Sequence, residues 1–318
     1  IYLAKKYQID YIYITDFWGV IAFFLKKIFR IPYVYVLNGY NPICPRGILF
    51  HKRLCEGFGV MKCLKNCHVF SPKFFFSFII TRLLLSAAQP VIAISKAVRN
   101  AYLFFFRKIP IKLFYYGIDT QKFKPIDINP AILKYNIGVS DKFILFFGRL
   151  MKERGIIEFL LHFNELLEKI DCKFLIVGLG PEVMEIKAKI NALGLQKNVI
   201  FTGVLRNQEL INMINLAHVI ILPILFPEPL SLVVLEAMAC GKTVISFELG
   251  GVKELLDDIK TGLLIPPNDW SQFINKLHQL MKNNELRTSI GNAARQKVEK
   301  YFNWDQFINK FLKELIEN

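Results

Sequence analysis

From Lys142 onward, short apolar segments alternate with stretches of helical periodicity, and this alternation limits the possible folds more than any other feature of the chain. KFILFF (142–147), KFLIVG (173–178), NVIFTG (198–203), HVIILP (218–223), TVISF (243–247) and GLLIP (262–266) read as strands. Residues 156–169, 182–192, 207–215, 230–240 and 252–256 read as the helices between them. Strands that are apolar at successive positions are buried on both faces. Strands joined through helices of this length make βαβ units and a parallel sheet. Three further helices are expected at 270–282, 285–301 and 304–317.

The earlier part alternates less regularly. DYIYIT (10–15), YVYVLN (33–38), PVIAIS (90–95) and IKLFYY (111–116) read as strands. A chain of 318 residues can bury two cores, so two α/β domains are expected, with a connector at 119–138 that carries Pro125 and Pro130. The content of 53% apolar and 21% charged residues excludes a disordered chain.

Charge is distributed unevenly. Residues 1–125 hold 19 Lys+Arg against 4 Asp+Glu, and residues 126–318 hold 22 of each, so the whole net charge of +15 lies in the first part. Such a one-sided field attracts phospholipid headgroups, nucleic acid or acidic substrates, or it keeps an apolar protein in solution. The most apolar stretch, 74–95, is interrupted by Arg82 and followed by Gln89-Pro90. Neither it nor 17–25 reaches the roughly 18–20 uncharged residues of a spanning helix. Both suit buried helices or helices lying in a membrane interface. Because the aromatics fall in apolar runs, a nucleic-acid-binding module is the less favoured reading.

Ligands of open parallel sheets bind beyond the carboxyl ends of the strands, so the strand-to-helix junctions are the candidate sites. The first runs from Gly148 and Arg149 to Arg154 and Gly155. Two guanidiniums there can hold a diphosphate through bidentate hydrogen bonds, or form an ordinary solvated loop. The second is Gly178-Leu179-Gly180-Pro181, where the glycines permit close backbone approach and Pro181 suits a first helical turn. In the third, a turn containing Glu228 leads into SLVVLEAMACG, whose first N–H groups at Ser231, Leu232 and Val233 make an anion site. Glu236 follows eight residues after Glu228, about two helical turns along, in an almost wholly apolar helix. A carboxylate in such a helix is rarely buried without a partner, which favours a ligand role over an ordinary surface glutamate. The fourth is Gly250-Gly251, opening another short helix.

In combined order and spacing, these segments resemble glycosyltransferase family 4, the retaining family with the GT-B fold. FFGRLMKERG, FPEPLSLVVLEAMACGKTVIS and ELGGVKELLDDIKTGLLIPPND carry the resemblance, with VIAISKAVRNAYL and YYGIDTQKFKP extending it toward the N-terminal side. It implies two Rossmann-like parallel-sheet domains facing a cleft: 1–125 on the acceptor side, 126–302 binding the nucleotide sugar, and a closing helix at 303–318. It also implies that the N-terminal domain is incomplete by roughly 80 residues. Arg149 and Arg154 would bind the donor diphosphate and stabilise the leaving group, with Glu228 on the donor sugar. Glu236 would accept from the ribose hydroxyls. Gly148, Gly178, Gly180, Gly250 and Gly251, with backbone amides at Ser231 and Leu232, would complete the donor site. The implied reaction moves a hexosyl group from a UDP- or GDP-sugar to a glycan or lipid-linked acceptor, with no metal or other cofactor required. Cell-surface polysaccharide or glycolipid synthesis is the implied setting, by a cytoplasmic enzyme peripheral to the inner, anionic face of the membrane. The chain departs from the family pattern with Arg154 in place of Lys, Tyr116 in place of Asn, and Asn38 in place of His.

Two matters stay open at this level. Cys44, Cys55, Cys63 and Cys67, with ten, seven and three residues between them, resemble a cysteine-bearing insertion of some relatives. They can hold a structural zinc ion, pair as disulfides or remain thiols. The same fold also serves sugar-nucleotide epimerases and glycan phosphorylases, although the arginine pair with the Glu228–Glu236 spacing points to transfer.

Overall fold

The computed structural model describes residues 10–15, 19–41, 43–44, 50–51, 53–54, 72–127 and 142–316. Contacts divide the chain into two compact units. One runs to Tyr116 and also takes in Phe226–Leu230 and Asp305–Asn318; the other comprises Gly117–Leu225 and Ser231–Trp304.

The second unit is built on β7 (Phe143–Phe147), β8 (Lys173–Val177), β9 (Val199–Gly203), β10 (Val219–Leu222), β11 (Val244–Phe247) and β12 (Leu263–Ile265). These form one parallel sheet in the order β12-β11-β10-β7-β8-β9. All five residues of β7 are buried, as are all four of β10 and of β11, which is the signature of strands covered on both faces. From β7 the chain first builds outward through β8 and β9, then returns to β10 and builds the other way. The order therefore reverses between β7 and β10, and a crevice opens at their carboxyl ends.

The described helices expected in this unit are all present. They are α4 (Ile156–Leu167), α5 (Val183–Ala192), α6 (Gln208–Leu216), α7 (Leu232–Ala239), α8 (Val252–Leu255), α9 (Trp270–Lys282) and α10 (Asn284–Tyr301). Their limits follow from capping chemistry. The Ser231 hydroxyl accepts from Val234 N–H at 3.4 Å, Asp269 from Gln272 N–H at 2.9 Å and Asn283 from Leu286 N–H at 2.9 Å. Helix α7 thus starts two residues later than periodicity predicts, because Ser231 is its cap. Phe159 and Phe163 of α4 pack on Phe174 of β8, with ring centroids 4.9 and 5.7 Å away. The described part of the connector is tied to this unit. Asp119 accepts from the N–H groups of Gln121 and Lys122, and Arg295 of α10 donates to the carbonyls of Thr120, Phe123 and Ala239.

The first unit holds β1 (Ile12–Thr15), β2 (Tyr33–Leu37), β5 (Val91–Ala93) and β6 (Ile111–Leu113) in a parallel sheet of that order. A two-stranded antiparallel pair, β3 (Phe50–His51) and β4 (Arg53–Leu54), stands apart. Helices α1 (Gly19–Phe29), α2 (Pro72–Ala87), α3 (Lys96–Phe105) and α11 (Trp304–Ile316) belong with this sheet, α11 from Asp305 onward. The described part of the apolar run at 17–25 falls in α1, and the run at 74–95 divides between α2 and β5. Among the described residues no helix is long and apolar enough to cross a membrane. Tyr33 of β2 is fully buried, and its hydroxyl donates to the Leu84 carbonyl at 2.6 Å, as a buried phenol requires. Burial pushes its pKa up to about 12. Strand β5 ends at Ala93, short of the expected Ser95, because Ser95 turns to cap α3 and accepts from Val98 N–H at 3.1 Å. Helix α11 packs Phe307 edge-on against Tyr116, and its Glu314 pairs with Lys112 of β6.

Cys44 is buried, while Cys55, Cys63 and Cys67 lie outside the described residues, as does the zinc expectation that needs them.

Candidate functional site

A cavity of about 340 Å³ opens at the carboxyl ends of β7, β8 and β9. Gly148 and Arg149 line it from the turn after β7, Gly178 and Leu179 from the turn after β8, and Val204 and Leu205 from the turn after β9. Leu210 of α6 contributes a further apolar side chain, and Val233 and Glu236 reach it from α7. Among the described residues it is a mostly apolar recess lined by one cation, Arg149, and one carboxylate, Glu236.

Backbone contacts hold the first two turns together. Gly148 N–H donates to the Val177 carbonyl at 3.0 Å, and Leu150 N–H to the Leu179 carbonyl at 2.9 Å. A Cβ added to Gly178 meets the Gly148 carbonyl oxygen at 1.9 Å, and one on Gly180 meets the Leu150 oxygen at 1.9 Å. The close approach that glycine permits is thus made by the neighbouring loop. Gly178 also lines the cavity, whereas Gly180 does not.

Arg149 is exposed at the cavity. Arg154 closes the short 3-10 turn Lys152–Arg154, is half-buried, and is not among the lining residues. That turn is fastened by the Leu225 N–H, which donates to the Glu153 carbonyl at 2.8 Å. At the start of α7, the Ser231 hydroxyl occupies the Val234 N–H, which leaves Leu232 and Val233 with the unpaired N–H groups of a first helical turn. The resulting partial positive charge favours anions.

Glu236 lies five positions into the apolar α7. Burial raises its pKa from 4.5 to about 7, with Lys122 pulling in the opposite direction. The group therefore takes up a proton as the pH falls toward 7, and its burial costs stability progressively as pH rises from 4.5 to about 7. A ligand that donates hydroxyl protons to the carboxylate favours the ionised form. Affinity for such a ligand is expected to rise between pH 6 and pH 8, and Glu236→Gln to flatten that rise. Parallel titrations of both proteins with one nucleotide check this, since the ligand's own ionisation is common to the pair. Equal slopes would remove Glu236 from the contact.

The remaining candidates stand elsewhere. Glu228 is 7% exposed, and its segment, Phe226–Leu230, groups with the first unit whereas Glu236 belongs to the second. Gly250 and Gly251 follow β11 and precede the four-residue α8, Gly250 with φ of 54°. They share the carboxyl side of the sheet but do not line the cavity. The apolar wall made by Leu179, Val204, Leu205 and Leu210 has no sequence signal that distinguishes it from core, unlike the charges and glycines. Val233 had a usable signal: it stands three residues before Glu236, hence on the same helical face.

In the first unit, positions 38 and 116 turn out to be coupled. Tyr116 donates its hydroxyl to Asn38 Oδ1 at 2.5 Å, and the Tyr13 hydroxyl lies 3.0 Å from that of Tyr116. The two departures from the family pattern are therefore one hydrogen-bonded arrangement, with Tyr13 as a third member.

Comparison with known proteins assigns the chain a family. Residues 129–297 match the family described as Glycosyl transferases group 1. The chain belongs to the glycosyl transferases group 1 family. Its relatives include an alpha-D-kanosaminyltransferase from Streptomyces kanamyceticus, 30% identical over 60% of this chain and 50% of that protein. Another is the N-acetyl-alpha-D-glucosaminyl L-malate synthase of Bacillus anthracis, 29% identical over 63% of this chain and 52% of that protein. The chain thus spans about half the length of the curated relatives it matches. Among solved structures, Anabaena HepE in complex with UDP superposes with a TM-score of 0.78 at 23% identity, over all of this chain and 80% of that one. With its two parallel sheets, the family member described here has the GT-B fold.

Proposed function

We propose that this chain serves a retaining glycosyltransferase reaction, moving a hexosyl group from a UDP- or GDP-sugar to a glycan or lipid-linked acceptor. The observation that carries this reading is the cavity between the β7, β8 and β9 turns, where Arg149 and Glu236 are the charged lining groups among the described residues. An apolar recess of this kind suits a flat nucleobase. A carboxylate in its wall suits ribose hydroxyls, and an arginine at its mouth suits a diphosphate. The first turn of α7 adds its N–H groups for the phosphates. A structural neighbour of the same fold is solved with UDP-glucose, which favours a uridine donor among the alternatives.

In the proposed reaction the acceptor hydroxyl oxygen bonds to the anomeric carbon on the face from which the diphosphate leaves. The bond from that carbon to the diphosphate oxygen breaks, and its electron pair stays with the diphosphate. The hydroxyl proton passes to the departing phosphate oxygen. Arg149, Arg154 and the α7 first turn offset the charge that develops there, Glu228 holds the donor sugar, and Gly250 and Gly251 complete the donor site. Residues 1–125 serve the acceptor, residues 126–302 the donor, and the helix at 303–318 closes the fold. The basic first part suits an enzyme of polysaccharide or glycolipid synthesis, peripheral to the anionic inner face of a membrane.

A panel of UDP- and GDP-sugars, assayed for nucleoside diphosphate release with the full-length protein, tests the reading. Turnover of one donor, with the anomeric configuration of the product matching that of the donor, is the expected result. An inverted product would overturn the stereochemical claim, and release from no donor would overturn the reading as a whole.

A further inference from the structure

A cavity of about 660 Å³ in the first unit lies at the amino ends of β5 and β6, away from the strand ends where substrates of such sheets bind. Its walls are the last turns of α2 and α3 and the segments that lead into the two strands. Four cations line it: Arg82, Arg107, Lys108 and Lys112. Among the described residues the lining contains no carboxylate, and the one acid paired with these cations in the described contacts is Glu314, on Lys112. Apolar side chains line it as well, among them Phe104, which is 46% exposed.

Beside this cavity, α2 presents an apolar stripe to solvent. Phe76, Ile79, Ile80 and Leu83 are 63, 41, 36 and 55% exposed. Their spacing of three, four and seven places them on a single helical face. The opposite side of α2 is anchored: Phe78 stacks on Phe106 at 4.9 Å and meets Phe105 edge-on at 5.5 Å. At 100° per residue, Arg82 falls between the anchored side and the exposed stripe. The stripe and the basic cavity therefore adjoin across one residue.

We propose that this face docks on an anionic lipid bilayer, the cavity receiving a lipid phosphate headgroup while Phe76, Ile79, Ile80, Leu83 and Phe104 enter the acyl boundary. The proposal deepens the peripheral-membrane part of the function proposed above and rests on it. Charge complementarity supports this occupant, since residues 1–125 carry the entire net charge of +15. The stripe also supports it: three of its four side chains, Ile79, Ile80 and Leu83, are aliphatic, and aliphatic side chains beside cations match a headgroup-to-acyl boundary.

Flotation of the full-length protein with vesicles tests the proposal. Binding is expected to vesicles of phosphatidylglycerol in phosphatidylcholine and not to phosphatidylcholine alone. Millimolar inorganic phosphate is expected to leave binding intact, so release by phosphate would mean that the cavity takes the free anion and would overturn the lipid assignment. Arg107→Glu with Lys108→Glu is expected to lower partitioning at least about tenfold, and Ile79→Ser with Leu83→Ser also to lower it. The same charge change at exposed helix and loop positions of the second unit, Lys260→Glu with Lys300→Glu, is expected to change it less than about twofold. Equal loss in both charge-reversed proteins, or no flotation of the wild type, overturns the proposal. UDP binding by each variant, followed in parallel, reports folding and keeps a failure of the membrane surface distinct from a failure of the donor site.

Discussion

Replacing Arg149 with alanine is expected to lower turnover about 100- to 1,000-fold on whichever nucleotide sugar the chain accepts, with little change in thermal stability. The stability expectation follows from exposure, because Arg149 stands in solvent at the cavity mouth and its loss leaves no buried group unpaired. The turnover expectation follows from where charge develops. As the bond to the anomeric carbon breaks, the diphosphate gains negative charge, and a guanidinium that holds two of its oxygens offsets more of that charge in the transition state than in the bound donor. Arg149→Lys keeps the charge but loses the planar fork, and an intermediate loss is expected. Steady-state rates at saturating donor check both variants. A change of less than about twofold in Arg149→Ala would place the leaving-group charge on other residues.

The largest expected loss of stability comes from Gly178→Val. Gly178 has φ of 143°, a backbone state that residues with a Cβ rarely adopt, and an added Cβ meets the Gly148 carbonyl oxygen at 1.9 Å. That neighbour is backbone within a hydrogen-bonded pair of turns, so it cannot swing aside as a side chain would. The two effects together are expected to cost at least about 4 kcal/mol. Gly194 supplies the contrast. Its φ is also positive, at 69°, but nothing lies within 4 Å of an added Cβ, so Gly194→Ala is expected to cost only about 1 kcal/mol. Urea unfolding of the three proteins checks this. A Gly178→Val protein within about 1 kcal/mol of wild type would mean that the two turns are less tightly joined than their backbone contacts indicate.

Much of the second unit is legible in the sequence because its strands are apolar at consecutive positions and its helices are bounded by polar caps. FILFF and VISF have few alternatives to a doubly covered strand, and Asp269 and Asn283 mark helix starts by residue type alone. Ser231 does the same, yet the apolar residue before it drew the expected helix start back to 230. The chemistry of single residues is less legible. Glu236 could be picked out because a carboxylate in an apolar helix needs an explanation. Leu179, Val204, Leu205 and Leu210 could not, because an apolar residue in a cavity wall looks in sequence like one in the core. Nor does sequence separation reveal contact grouping: Glu228 and Glu236 are eight residues apart, yet they fall in different units. Likewise, the hydrogen bond between Tyr116 and Asn38 joins positions 78 residues apart, beyond the ends of β6 and β2, which flank β5 in the parallel sheet.

The central claim is that the recess between the β7, β8 and β9 turns binds the nucleoside diphosphate of a sugar donor through Glu236 and Arg149. Calorimetric titration of UDP and GDP into the full-length protein and into Glu236→Ala tests it most directly. One of the two nucleotides is expected to bind the wild type with a stoichiometry of one and to bind Glu236→Ala at least about tenfold more weakly, a difference of about 1.4 kcal/mol. Binding of neither nucleotide by the wild type, or equal affinity in the two proteins, would contradict it.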